Sequence, residues 1–331
     1  MATHTIDLEN RIFAIDSEES FVRTCLEVFR YQAQACPVYK RYVALRRIDP
    51  QRVTRLDEVP FLPIDFFKQQ RIIVDGKSPA VTFQSSGTTG TVQSQHVVAD
   101  VGLYEKSFLR TFQTFYGDPA GLAILALLPS YLEREGSSLI YMVDHLIKRS
   151  QVPHSGYFLY DHDRLLATLN KLKAERTPTL LIGVTYALLD FADAHAVDFP
   201  EMTVMETGGM KGRRREMVRE EVHALLAQRF GVGKIHSEYG MTELLSQAYS
   251  YGEGRFRCPP WMRAIARETN DPFSLENWGR TGALNIIDLA NLYSCAFIET
   301  QDLGKVYPDG TFEVLGRFDH SDVRGCNLLV Q

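Results

Sequence analysis

Apolar positions in the first part of the chain recur at helical spacing. Phe21, Val22, Cys25, Leu26 and Phe29 form one stripe that stops at Pro37. Asp16, with Glu19 three residues on, predicts a capping box at the start of that helix. Cys25 lies on the stripe and is expected in the core. Residues 45–63 are broken by Pro50, Pro60 and Pro63 and predict irregular backbone. From about residue 80 the pattern alternates. Residues 81–83 and 96–98 read as short strands around a glycine–hydroxyl loop, and 104–116 as a helix with Phe108, Phe112 and Phe115 on one face. The unbroken apolar run 122–128 predicts a buried strand. Helices are expected over 137–150, 162–174, about 185–195 and about 214–230, with strands over 180–184, 203–205 and 234–237. This alternation predicts an α/β fold, a largely parallel sheet covered by helices. After about 280 the pattern turns to β: 283–287, 296–299, and a hairpin over 305–315 with a type I′ turn at Asp309-Gly310.

Composition narrows the class. The 331 residues hold 19 Phe and 15 Tyr, too many aromatics for a disordered chain. With 36 basic and 41 acidic residues the net charge is −5, which argues against nonspecific nucleic-acid binding. The one dense basic run, Lys211 to Arg215, is followed by Glu216, Glu220 and Glu221 and reads as a solvated helix start or a phosphate contact. The longest strongly apolar stretch, Gly121 to Pro129, is far short of the ~20 residues a membrane span needs. Five scattered cysteines (Cys25, Cys36, Cys258, Cys295, Cys326) form no CxxC and no zinc spacing, and fit a reducing cytoplasm.

Five short segments can carry chemistry. In Gln84-Ser85-Ser86-Gly87-Thr88-Thr89-Gly90, hydroxyls and glycines between two strands offer donors at the close approach a polyphosphate needs. The plain reading is an exposed polar hairpin loop. Glu206-Thr207-Gly208-Gly209-Met210 follows a strand, and its glycines let backbone lie flat against a planar ligand. Glu238-Tyr239-Gly240-Met241-Thr242-Glu243 follows another strand, where ligands bind in open α/β sheets. There a tyrosine can stack on a base, a threonine can bond a phosphate and a glutamate can hold Mg²⁺. Its plain reading is a helix N-terminus. Asp302, in Thr300-Gln301-Asp302-Leu303-Gly304, and Arg317, in Gly316-Arg317-Phe318-Asp319, could hold two ribose hydroxyls. Each of these last two motifs is weak alone.

Taken together and in this order, the five resemble the adenylate-forming ligase superfamily over about residues 83–325. The resemblance sharpens at Leu128-Pro129-Ser130-Tyr131-Leu132-Glu133-Arg134, at the stretch from Ser237 to Tyr249, and at Arg324-Gly325-Cys326-Asn327-Leu328-Leu329. These look like the acyl-protein synthetase (LuxE) family of bacterial bioluminescence. The resemblance implies a large domain over 1–315, with layered sheets and helices, a helical N-terminal segment to about 78 and a β-rich C-terminal part. It implies a hinge and short tail over 316–331, with the superfamily's usual C-terminal domain missing or reduced to that tail.

The implied reaction uses ATP and Mg²⁺ to activate a carboxylic acid, a fatty acid, as an acyl adenylate, and then acylates a thiol, Cys326. An acyl reductase, an acyltransferase or a carrier protein would be the partner. Ser85, Ser86, Thr88 and Thr89, with Gly87 and Gly90, would hold the β- and γ-phosphates. Gly208, Gly209, Met210, Tyr239, Gly240 and Met241 would take the adenine. Thr242 would bond the α-phosphate, Glu243 would ligate Mg²⁺, Asp302 and Arg317 would hold the ribose, and Asp319 would be the hinge. Cys326 lies seven residues beyond Asp319, a tether of about 23 Å when extended. Tyr131 and Gly183 are weaker candidates for the acyl pocket, and Met142 is expected in the core.

Two departures stand out. The loop continues Thr91-Val92-Gln93-Ser94 where the superfamily has Pro-Lys-Gly. The C-terminal domain's lysine has no counterpart, so Mg²⁺, Lys211 or Arg317 is expected to supply that charge. Two other readings stay open: a ligase of the phenylacetate–CoA type, with CoA or a carrier as acceptor, and an inert nucleotide-binding scaffold.

Overall fold

A computed structural model describes residues 2–85, 92–129, 136–208, 217–269, 271 and 273–317. In chain order come α1 (Ala2–Ile12), α2 (Glu18–Ala35), α3 (Pro37–Leu45), β1 (Leu62–Pro63), α4 (Phe66–Gln69), β2 (Val81–Gln84), β3 (Gln95–Val98) and α5 (Val101–Tyr116). Then follow β4 (Ala123–Leu127), α6 (Ser138–Arg149), β5 (Gly156–Tyr157), α7 (His162–Ala174), β6 (Thr179–Gly183), α8 (Thr185–Ala194), β7 (Thr203–Glu206), α9 (Arg219–Phe230) and β8 (His236–Tyr239). The chain ends its described part with β9 (Ala248–Ser250), β10 (Arg255–Arg257), β11 (Met262–Arg267), β12 (Thr281–Asp288), β13 (Phe297–Val306) and β14 (Phe312–Arg317). It divides into two units, one of residues 1–107, 243–246 and 257–331, the other of 108–242 and 247–256.

The second unit carries the predicted α/β pattern. Its strands lie in the order β5-β4-β6-β7-β8-β9. All these pairings are parallel except β8–β9. Every residue of β4 and β6 is buried, as two-sided coverage by helices requires. Helix α6 is capped by Ser137, whose hydroxyl accepts from Ile140 N–H, and both α6 and α7 fall within the predicted ranges.

The first unit is built on an antiparallel run β11–β12–β13–β14, with β1 parallel to β13. The hairpin β2–β3 is a sheet of its own. The N-terminal helices are anchored by Gln32, which is fully buried. Its amide donates to Asn291 O (2.7 Å) and Leu292 O (3.0 Å), and its carbonyl accepts from Ala296 N–H (2.9 Å). Phe29, Tyr39 and Phe61 surround Phe297. Cys25 lies in this core, as its stripe predicts.

Several expectations need correction. The α2 box is made by Ser17 and Ser20, not Asp16 and Glu19; the Asp16 carboxylate accepts from the Ser20 hydroxyl instead. The strand expected over 234–237 runs two residues later, so Glu238 and Tyr239 belong to it. No helix follows: residues 240–247 form an irregular connection to β9. The break expected between 299 and 305 does not exist, because β13 is continuous. At the β13–β14 turn Gly310 has φ +78° while Asp309 has no positive φ. Gly310 N–H donates to Tyr307 O, so the turn has Pro308 and Asp309 at its centre and is not type I′. β structure also begins before 280, with β9, β10 and β11.

Candidate functional site

In the first unit, the base of the hydroxyl loop is closed by two reciprocal bonds. Ser85 N–H donates to Ser94 O (3.0 Å), and Ser94 N–H donates to Ser85 Oγ (3.0 Å). Ser94 is buried, and its hydroxyl donates to the Glu243 carboxylate. Glu243 is itself buried. The backbone from Glu243 to Ser246 is pinned: Asn291 Nδ2 donates to Glu243 O (2.8 Å), and Asp288 accepts from Leu245 N–H (2.7 Å) and Ser246 N–H (2.9 Å). Burial raises the Asp288 carboxyl to about 6, against the four hydrogen bonds it accepts.

Asp302 lies on the buried face of β13, directly across from Arg317 of β14. Arg317 Nε donates to Asp302 Oδ1 at 3.0 Å, while Thr300 Oγ1 accepts from Asp302 N–H. The Arg317 side chain is 66% exposed, so this pair adds little stability and the guanidinium is open to an anion. Both groups act on Glu243. Burial pushes the Glu243 carboxyl above the usual range; the Ser94 hydroxyl and Arg317 oppose the rise, and Asp302 adds to it. One inward carboxylate with a second acid nearby suits Mg²⁺, which takes one or two carboxylates and fills its shell with phosphate oxygens and water. Among the described residues no cluster of three or more His, Cys, Asp or Glu side chains suits a metal.

In the second unit, the strand ends gather a different set. Glu206 closes β7 with 6% exposure. Its Oε2 accepts from Gly208 N–H (2.6 Å) and from the Thr185 hydroxyl (3.1 Å). His223 Nε2 and Arg219 Nε lie 3.6 and 4.0 Å from Oε1. Burial pushes this carboxyl up, but bonds from His223 and Ser237, the Arg219 charge and Gly208 N–H outweigh it, and it is held below its ordinary value. Glu238 on the neighbouring strand goes the other way. Burial and the Glu206 charge push it up to about 8. Tyr239 is buried with its ring 5.8 Å from Phe256. Gly240, Met241 and Thr242 follow in the connection to β9.

The fold is shared with proteins of known structure. An open form of 2-hydroxyisobutyryl-CoA ligase, in complex with 2-HIB-AMP and CoA, superposes with TM-score 0.69 at 13% identity, over 92% of this chain and 70% of that one. ATP-bound MatB from Rhodopseudomonas palustris gives 0.54 at 18% identity, over 71% and 47%. The fold is that of the adenylate-forming ligases. In sequence, 81 residues are 28% identical to the long-chain-fatty-acid–luciferin-component ligase of Photorhabdus luminescens, which is 24% of this chain and 69% of that protein. No protein-family model matches the chain.

Within this adenylate-forming fold, the predicted residues fall into two sets. Ser85, Glu243, Asp302 and Arg317 lie in the first unit; Gly183, Gly208, Tyr239, Gly240, Met241 and Thr242 lie in the second. Gly208 has φ +74°, the left-handed backbone that glycine takes without strain. Gly183 has a packing reason of its own: a Cβ there would lie 2.9 Å from Leu127 Cβ and 3.1 Å from Leu188 Cγ. Met142 is in the core, as expected. Ser86, Gly87, Thr88, Thr89, Gly90, Tyr131, Gly209, Met210, Asp319, Cys326 and the Lys211–Arg215 run lie outside the described residues. Sequence reading missed the roles of Ser94 and Glu206. Ser94 gives no signal in spacing. Glu206 does, as an acid closing the otherwise apolar run Val204-Met205.

Proposed function

We propose that this chain activates a carboxylic acid with ATP as an acyl adenylate and then acylates a thiol, its own Cys326. The observation that carries the reading is the grouping of Glu243, Asp302 and Arg317 in the first unit of an adenylate-forming fold. Adenylation brings an anionic carboxylate against an anionic α-phosphate, so cations and N–H donors must offset the repulsion. Bound Mg²⁺ would supply charge neutralisation at the phosphates, with Glu243 as its protein ligand. Asp302 accepts from the ribose hydroxyls, Arg317 stands beside it as a cation, and Thr242 donates to the α-phosphate. Tyr239, Gly240, Met241 and the glycine turn from Gly208 through Met210 hold the adenine. Ser85, Ser86, Thr88 and Thr89 hold the outer phosphates.

A fatty acid as substrate is supported by the similarity to the luciferin-component ligase. Cys326 as acceptor is supported by the state of the other thiols. Cys25, Cys36 and Cys295 are buried and Cys258 is half-buried; desolvation raises all four, Cys258 to about 12. ATP–pyrophosphate exchange across a panel of acids tests the reading. Exchange that requires a long-chain acid supports it, and no exchange with any acid rejects it. Discharge of the adenylate by added CoA, with no label on the protein, would replace self-acylation by a CoA ligase activity.

A further inference from the structure

We infer that Glu206 is the positioning residue of the adenine-binding turn, fixing Thr207–Gly208 for the nucleotide without touching it. The inference rests on the nucleotide reading above and adds a residue that the reading does not use. A buried carboxylate is costly unless several hydrogen bonds satisfy it. The hydrogen-bond and ion-pair partners described for Glu206 are all donors: Gly208 N–H and the Thr185 hydroxyl on Oε2, and His223, Arg219 and the Ser237 hydroxyl about the rest; the neighbouring Glu238 carboxyl is pushed up by burial and by the Glu206 charge.

The bonds converge on one short turn. Gly208 N–H goes to Glu206, and Gly208 O accepts from Thr185 N–H at 3.4 Å. Thr207 N–H donates to Gly183 O at 3.0 Å. Both backbone polar groups of Gly208 are therefore engaged, and its left-handed φ is held from two sides. Thr185 takes part twice, by hydroxyl to the carboxylate and by N–H to the Gly208 carbonyl, so α8 and the turn are locked through Glu206. A turn ordered before the ligand arrives saves the ordering cost on binding.

The substitution Glu206→Gln tests this, because its amide turns a donor against a ring of donors while keeping size. ATP affinity is read by calorimetry, and ATP KM and kcat by pyrophosphate exchange, after thermal melting has confirmed a folded protein. The expected result is ATP affinity weakened about 10-fold, the scale of one charge-assisted hydrogen bond. KM for ATP should rise to match, with kcat at saturating ATP within about 2-fold. Thr185→Val, which removes one donor only, should weaken ATP about 3-fold. Unchanged ATP affinity in folded Glu206→Gln overturns the inference, as does a fall in kcat at unchanged KM. Should Glu206→Gln not fold, unchanged affinity in Thr185→Val overturns it. Wild-type protein that binds no ATP removes this inference and the nucleotide reading together. Wild-type binding with unaltered variants removes this inference alone.

Discussion

Glu238 and Glu206 sit on adjacent strands and part ways because donors crowd one of them. Glu206 is ionised among five donors, while Glu238, beside that charge and desolvated, binds its proton up to about pH 8. A carboxyl whose folded pKa is raised contributes stability that is complete below its ordinary value of 4.5. That contribution is lost as pH rises through about 8. The difference in unfolding free energy between wild type and Glu238→Gln, measured by denaturant titration, should therefore shift in the variant's favour between pH 5 and pH 8.5. A difference that stays flat across that range would show that Glu238 is solvated. Glu243→Gln should cut acid-dependent pyrophosphate exchange by roughly 10²-fold, as loss of a metal-holding charge does; near-normal exchange in the folded variant takes Glu243 out of the reaction. Asp302→Ala should weaken ATP binding by ~1–3 kcal/mol, and calorimetry that finds no change would sink the ribose assignment.

At the scale of elements, β13 decides the most. Its alternate positions Thr300, Asp302, Gly304 and Val306 face inward. Gly304 has neighbours that leave no room for a side chain: an added Cβ would lie 2.1 Å from Glu313 O and 2.7 Å from Leu284 Cδ1. Gly304→Ala should therefore destabilise the protein by ~1–3 kcal/mol, seen as a lowered denaturation midpoint. The same strand explains what the sequence concealed. An aspartate preceded by two polar residues looks like a turn, because a buried strand acid is rare unless something else needs it. Where chemistry made no such demand, the pattern was readable. β4 followed from an unbroken apolar run, and α6 and α7 formed over the ranges expected for them. The order of the five candidate segments was legible as well, since each needed only local residue types. The contacts between segments, Ser94 to Glu243 and Glu206 to Thr185, join positions 149 and 21 residues apart, and no local pattern encodes such pairings.

For the whole molecule, the strongest test separates the two half-reactions. Cys326→Ser should keep acid-dependent pyrophosphate exchange yet lose the stable label from a radioactive acid with ATP. The wild-type label should be released by neutral hydroxylamine, as thioesters are. Label that persists in Cys326→Ser, or maps by mass spectrometry to another cysteine, would falsify self-acylation. The suppressed ionisation of the four described thiols has a consequence for any acyl group the chain carries. Thioesters migrate between sulfurs only through a thiolate that can reach the carbonyl. A thiol held near 12, as at Cys258, is ionised to the order of one part in 10⁵ at neutral pH, and Cys25, Cys36 and Cys295 lie deeper still. An acyl chain attached elsewhere on this protein thus meets, among the described cysteines, no readily ionised sulfur to wander to. Its lifetime is set by water and by whichever external nucleophile arrives first.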